Sequence, residues 1–213
     1  KAEAPALRPE PVTAADLRAF TARVRRDAEE TVRQLETAGQ SLDRTALARG
    51  LAKLEALSSA KPDWRKIRVH GDYHLGQIIR AEGELYILDF EGEPARPLNE
   101  RRERDQALRD AAGMLRSLEY AGLVAGREYG DQTGSDVAVW ADLLVRWGEA
   151  AFLEAYLSTA GDEAAYLPKD AETRDLILWA YMLEKVLYEV RYELGSRPDW
   201  VWLPLRGLGR LVS

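Results

Sequence analysis

The stretch from Val69 to Glu93, VHGDYHLGQIIRAEGELYILDFEGE, constrains the fold more tightly than any other part of this 213-residue chain. Gln77-Ile-Ile-Arg80 and Glu84-Leu-Tyr-Ile-Leu-Asp89 flank a short polar turn, Ala81-Glu82-Gly83, and predict a β-hairpin. An HGD turn, His70-Gly71-Asp72, precedes the hairpin, and a DFE turn, Asp89-Phe90-Glu91, follows it. A hairpin returns the chain to the end where it began, so the two acidic turns are expected side by side. Ile67 and Val69, two apart, predict an extended lead-in. Gly71 suits a sharp turn, and Leu88 and Phe90 are expected to anchor the second turn in the core.

Around this segment the pattern is helical, and the expected fold class is mainly α with a small β-hairpin. Residues 1–12 carry Pro5, Pro9 and Pro11 and read as a leader or linker, with Thr13 as the N-cap of a first helix. Leu17, Phe20, Val24, Ala28, Val32 and Leu35 recur at spacings of three and four, up to Gly39. A second helix from Ser41 buries Leu47, Leu51 and Leu54, giving an αα-hairpin over 13–61. Beyond Glu93, the charged run Asn99 to Asp105 reads as an exposed loop, and a helix with Leu108, Ala112, Leu115 and Leu118 inward is expected to stop at Gly122. Gly126 to Gly134 reads as a surface loop. Two further helices carry Trp140, Leu143, Leu144, Trp147 and Ala151, then Trp179, Met182, Leu183, Val186 and Val190. Trp140, Trp147 and Trp179 are assigned to the core, and Gly195 to Ser213 is expected to be broken by Pro198 and Pro204.

Composition narrows the function. No apolar run approaches the roughly 18 residues that span a bilayer, and no charged-then-apolar leader opens the chain, so a cytoplasmic location without membrane contact is the default. The absence of cysteine excludes disulfides and thiolate metal sites, and two histidines argue against zinc. A net charge of −6 argues against nucleic acid, whose binding rests on clustered cations. A neutral or cationic small substrate fits the balance better.

The paired turns suit phosphoryl transfer, in which the protein mainly positions reactants and neutralises phosphate charge. Asp72 is placed to orient a hydroxyl and accept its proton. Gln77 and Asp89 offer hard oxygens to Mg²⁺, leaving its other positions to water and nucleotide phosphates.

HGD, an amide five residues on and a DF turn resemble the aminoglycoside phosphotransferase and choline kinase branch of the protein-kinase-like fold. HGDYHLGQ, ILDFEGEPARPLNERR, RDAAGMLRSLEYA and YEVRYELGSRPDW are together similar to the maltokinases within that superfamily, over most of residues 13–210. The resemblance implies a helical carboxy-terminal lobe with 66–93 as catalytic turn, hairpin and metal turn and 100–213 as the substrate-binding part. It implies ATP-dependent phosphorylation of maltose at its anomeric hydroxyl, with ATP and Mg²⁺ as cofactors and a fused or associated trehalose synthase as partner. Asp72 and His70 are then the catalytic pair, His70 organising the turn. Gln77 and Asp89 bind the metal and nucleotide phosphates, with Glu91 assisting the metal. Asp72, His74, Glu189, Tyr192 and Arg197 contact the sugar, and Trp200 and Trp202 are divided between packing and a sugar-facing wall. Gln77 stands where the family usually has Asn. No β-rich amino-terminal lobe with its phosphate-binding lysine is recognisable before residue 66, so the lobe is expected to act poorly alone. A kinase for a cationic alcohol and a non-catalytic docking lobe are the alternative readings.

Overall fold

The computed structural model describes residues 7–93, 97–161 and 164–213. In chain order its elements are β1 (Glu10–Pro11), α1 (Ala14–Thr37), α2 (Arg44–Ser58), β2 (Arg65–Lys66), β3 (Ile78–Ala81), β4 (Glu84–Ile87), α3 (Leu98–Arg101), α4 (Leu108–Thr133), α5 (Ala138–Ala160), α6 (Ala171–Ser196) and α7 (Trp202–Val212). The helices dominate, and the strands form two separate antiparallel pairs, β1 with β2 and β3 with β4. The chain divides into two compact units, one containing 67–166 and the other combining 10–66 with 167–213.

In the second unit α1 starts at a capping box: the Thr13 hydroxyl accepts from Asp16 N–H, and the Asp16 carboxylate accepts from Thr13 N–H. Leu17, Phe20, Val24, Ala28 and Leu35 form its buried stripe, as their spacing requires. Val32 is only half-buried, and Thr31 takes the inner position because its hydroxyl finds the carbonyls of Asp27 at 2.7 Å and Leu187 at 3.3 Å. The other side of this core is α6, with Ile177, Leu183, Val186, Leu187 and Val190 buried. Arg191 of α6 fastens the pair by donating to Asp27 O, Thr31 Oγ and Asp27 Oδ1. Gly50 of α2 faces α7 where a Cβ would stand 3.0 Å from Val212, so glycine allows that approach.

Three expectations fail here for identifiable reasons. Of the leader over 1–12, residues 1–6 lie outside the described residues, while Glu10 and Pro11 pair with Lys66 and Arg65 and Val12 N–H donates to Trp64 O. The carboxy-terminal segment is broken once and not twice: α6 ends at Ser196 and Pro198 opens a one-turn 3₁₀ helix, whereas Pro204 lies in the first turn of α7, where no backbone N–H is missed. Trp179 is half-buried, its indole N–H donating to Leu211 O at 3.0 Å and its ring beneath the Lys53 ammonium at 4.5 Å.

The first unit is built on the antiparallel pair α4 and α5. The surface loop expected at 126–134 is the last two turns of α4, which runs to Thr133 and ends at Gly134 with φ +67°. Gly122 and Gly126 are contact glycines: a Cβ on Gly122 would stand 2.5 Å from a Val145 methyl, and one on Gly126 would stand 2.6 Å from Ala141. Overpacking there costs about 1–3 kcal/mol. Ala141 and Val145 are the buried residues of α5, so Trp140 and Trp147, expected in the core, are instead 71% and 73% exposed. The helical period is right and the inward face is the other one. Leu88 and Phe90, expected as anchors, are exposed as well. The run Asn99 to Asp105 is partly structured, with α3 at its start and Asp105 joined to Ile67 by two backbone hydrogen bonds of 2.9 Å.

Candidate active site

The HGD turn is seated on one face of α4. Asp110, in the helix's first turn, accepts His70 N–H at 2.7 Å through Oδ2 and Gly71 N–H at 2.9 Å through Oδ1. Arg109 donates to Gly71 O and to Asp105 Oδ2, both at 3.1 Å, and so ties the turn to the Ile67–Asp105 bridge. Three residues on, Gly113 leaves room for the Tyr73 carbonyl, which a Cβ would meet at 2.6 Å. One turn later Ser117 Oγ accepts Leu75 N–H at 3.0 Å. Positions 110, 113 and 117 follow the helical period, so one stripe of α4 fixes the backbone from His70 to Leu75. Burial pushes the Asp110 carboxyl above its ordinary 3.8, against the pull of the two N–H donors and Arg109. Burial, and then the charge of Asp110, raises the Tyr73 phenol too.

His70 is buried and joins the two turns. Its Nδ1 accepts Asp72 N–H at 3.3 Å, which leaves the proton on Nε2, and Nε2 donates to Leu88 O at 2.7 Å. Both ring nitrogens are thus engaged with backbone, one in each turn, and the ring lies 4.9 Å from that of Phe90. The geometry gives His70 the work of holding Asp72 and the segment before Asp89 in register. Gly71 adopts φ +85°, where a Cβ would press on Gly92 Cα at 3.3 Å.

Asp72 is partly exposed at the mouth of this turn. The Nδ1 of His74 accepts Gly76 N–H at 3.0 Å and caps the 3₁₀ turn Leu75–Gln77, so its Nε2 carries the proton and stands 3.9 Å from Asp72 Oδ2. The hairpin pairs Ile78 with Ile87 and Ala81 with Glu84, and Leu88 N–H donates to Gln77 O at 2.9 Å, just beyond the last pair. That register sets Gln77 opposite Leu88 and Asp89 one residue beyond, where Gln77 Nε2 donates to Asp89 Oδ2 at 3.3 Å. Asp89 holds φ +60°, an unusual value for a residue other than glycine. Glu91 is exposed two residues further on.

Mg²⁺ fits this donor set by its chemistry: a carboxylate and an amide oxygen on adjacent backbone, both open to solvent, are hard ligands that leave positions for water and phosphate. Among the described residues no group of three or more His, Asp and Glu side chains forms a metal cage.

Of the sugar residues expected from the sequence, Asp72 and His74 lie in this unit, and Glu189, Tyr192 and Arg197 fall in the other. Arg197, just past α6, makes a bidentate pair with buried Glu193, Nε to Oε2 at 2.9 Å and Nη2 to Oε1 at 2.6 Å. Its guanidinium carbon lies 5.0 Å from the Trp200 ring centre and 5.8 Å from that of Tyr192. Tyr192 and Trp200 are exposed, and Glu189 is half-buried. Glu193 and Asp110 were missed by sequence reasoning. Glu193 is buried and Asp110 partly buried, and an acidic residue on a helix carries no mark of either in the sequence.

The chain is similar to glucosamine kinases. It is 33% identical over 197 residues to one from Streptacidiphilus jiangxiensis, covering 91% of this chain and 42% of that protein. It is 33% identical over 209 residues to one from Mycolicibacterium smegmatis, covering 95% and 48%. Among solved structures, a glucosamine kinase in crystal form B matches with a TM-score of 0.80 at 27% identity over 97% of this chain and 48% of that one. A glucosamine kinase in complex with glucosamine, ADP and inorganic phosphate matches at 0.79 and 27% identity, over 96% and 47%. No family model matches. The chain thus spans under half the length of the curated relatives it matches.

These relatives overturn the assignment to the maltokinases, and with it the link to maltose and to a trehalose synthase partner. The matching fold is that of glucosamine kinase, and it replaces the protein-kinase-like, aminoglycoside phosphotransferase-like lobe expected from the motifs. The reason is physical: HGD, the hairpin and DFE are local turn chemistry over some two dozen residues, and such a constellation does not dictate the architecture that carries it. What the chain is similar to, over nearly all its length, is a glucosamine kinase.

Proposed function

We propose that the protein carrying this chain phosphorylates glucosamine, or a closely similar amino sugar, with ATP as donor. The observation that carries this reading is the match over 96% of the chain, at a TM-score of 0.79, to a glucosamine kinase holding glucosamine, ADP and inorganic phosphate. A net charge of −6 favours a cationic acceptor. In this reading Asp72 accepts the proton of the attacking hydroxyl, held in place by His70, which takes its own N–H, and by Asp110, which takes the N–H groups of His70 and Gly71 just before it. His74 faces the same carboxylate and restrains its orientation. Gln77 and Asp89, with Glu91 nearby, hold Mg²⁺, which supplies neutralisation of phosphate charge. Following ADP release from ATP and Mg²⁺ with glucosamine and with glucose tests the reading in the protein as encoded. Turnover with glucosamine well above that with glucose is expected, and equal or absent turnover with glucosamine overturns it.

A further inference from the structure

Arg68 and His70 stand two positions apart, directly after the Ile67–Asp105 bridge, and Val69 between them is buried. Alternation along an extended segment places the two outer side chains on one side, and both reach the Asp89 turn. His70 Nε2 donates at 2.7 Å to the carbonyl of Leu88, the residue before Asp89. Arg68 Nη2 donates at 3.3 Å to the carbonyl of Phe90, the residue after it. The same guanidinium donates through Nη1 to Arg101 O at 2.6 Å, at the end of α3. Backbone packing repeats the link. A Cβ on Gly71 would lie 3.3 Å from Gly92 Cα, and one on Gly92, at φ +78°, would lie 3.3 Å from Arg101 Cβ. The Asp89 turn is therefore held between the HGD turn and α3, with the Arg68 fork bridging turn and helix.

We infer that Arg68 is a positioning residue for Asp89 and, through it, for the divalent cation; this rests on the reading of Asp89 as a Mg²⁺ ligand given above. Asp89 holds φ +60°, and a residue other than glycine persists there only where its surroundings fix it. Its carboxylate meets Gln77 at 3.3 Å and is otherwise open to solvent. Holding the carbonyls on both sides, at 88 and 90, sets where the side chain points and leaves its oxygens free. Partners that orient a metal ligand are worth about 10–100-fold in metal affinity. The task suits arginine: a guanidinium presents its N–H groups in a rigid plane and serves two carbonyls at once, whereas a lysine ammonium is a point charge on a flexible stem. Arg68→Lys thus keeps the charge and loses the fixed two-carbonyl grip.

The test is binding of Mn²⁺, a paramagnetic stand-in for Mg²⁺ that takes the same oxygen ligands, followed by electron paramagnetic resonance with ADP in the protein as encoded. Four forms are compared: wild type, Arg68→Lys, Asp89→Asn and the two substitutions together. Arg68→Lys is expected to weaken Mn²⁺ binding about tenfold. In the Asp89→Asn background the same substitution is expected to add nothing, because its effect passes through the carboxylate. A general loosening of the fold would act in both backgrounds. Wild-type affinity in Arg68→Lys, or effects of the two substitutions that multiply, overturns the inference and leaves the metal reading standing. If Asp89→Asn binds Mn²⁺ as tightly as the wild type, the metal reading itself has failed, and the inference with it.

Discussion

The two acidic turns of the Val69–Glu93 segment are built to different standards. The Asp72 turn is fixed from three sides: Asp110 takes two of its backbone N–H groups, Arg109 takes a carbonyl, and His70 bonds the Asp72 N–H. The Asp89 turn is exposed, holds a positive φ, and meets Gln77 through one 3.3 Å contact. It is tied through backbone atoms, by the 2.7 Å bond from His70 to Leu88 O, the 2.9 Å bond from Leu88 N–H to Gln77 O and a 3.3 Å bond from Arg68 to Phe90 O, while the Asp89 side chain itself stays open. A base must meet a hydroxyl within a narrow geometry, and preorganisation there lowers the barrier directly. A metal ligand shared with nucleotide phosphates has to adapt as they arrive, so slack at Asp89 is compatible with its work.

The sharpest way to break this contrast is at Asp72 itself. Asp72→Asn removes the proton acceptor and is expected to lower kcat about 10²–10⁴-fold, with little change in melting temperature because the carboxylate is partly exposed. Asp110→Asn comes next: an amide cannot accept from both N–H groups, so kcat is expected to fall about tenfold or more and stability by about 1–3 kcal/mol. That stability loss has a pH signature. The folded-state pKa of Asp110 is raised by burial, so its contribution is full below the ordinary 3.8 and is lost as pH rises through the raised value. Denaturation of wild type and variant at several pH values should show their difference shrinking as pH rises. If the difference grows, the burial argument fails.

At the slack turn the signs separate. Asp89→Gly relieves the positive φ and is expected to stabilise the fold by roughly 0.5–1 kcal/mol, while Mg²⁺-dependent phosphotransfer falls; a destabilised variant would show that the turn is held more firmly than it looks. The smallest expected effect lies away from both turns. Burial, then Tyr166 and Asp110, pushes the Tyr156 phenol from 10.0 up to about 12. Its contribution to stability is therefore present below pH 10 and lost as pH rises toward 12. Tyr156→Phe should flatten the alkaline limb of the stability curve, measured by denaturant titration.

The same contrast marks what could be read from the sequence. The hairpin and the meeting of the two acidic turns at one end of it followed from alternation and turn residues, because both are local. The inner stripe of α1 was readable for the same reason. The orientation of α5 was not: Trp140 and Trp147 share a helical face, but which face turns inward depends on Gly122 and Gly126 of α4, whose missing side chains read as helix breakers. Asp110 was hidden in a similar way. An aspartate in a helix's first turn is ordinary on dipole grounds, and only the folded chain brings it to His70 and Gly71, some forty residues away. The motifs pointed to the chemistry and misassigned the family, since they are shared more widely than any one acceptor sugar.

The most direct test of Asp72 as a preorganised base is to follow transfer of phosphate from ATP to glucosamine by ³¹P NMR, in the protein as encoded and in its Asp72→Asn variant at matched melting temperature. The account predicts a sugar phosphate ester from the wild type and almost none from the variant. An ester formed by both at similar rates would contradict it.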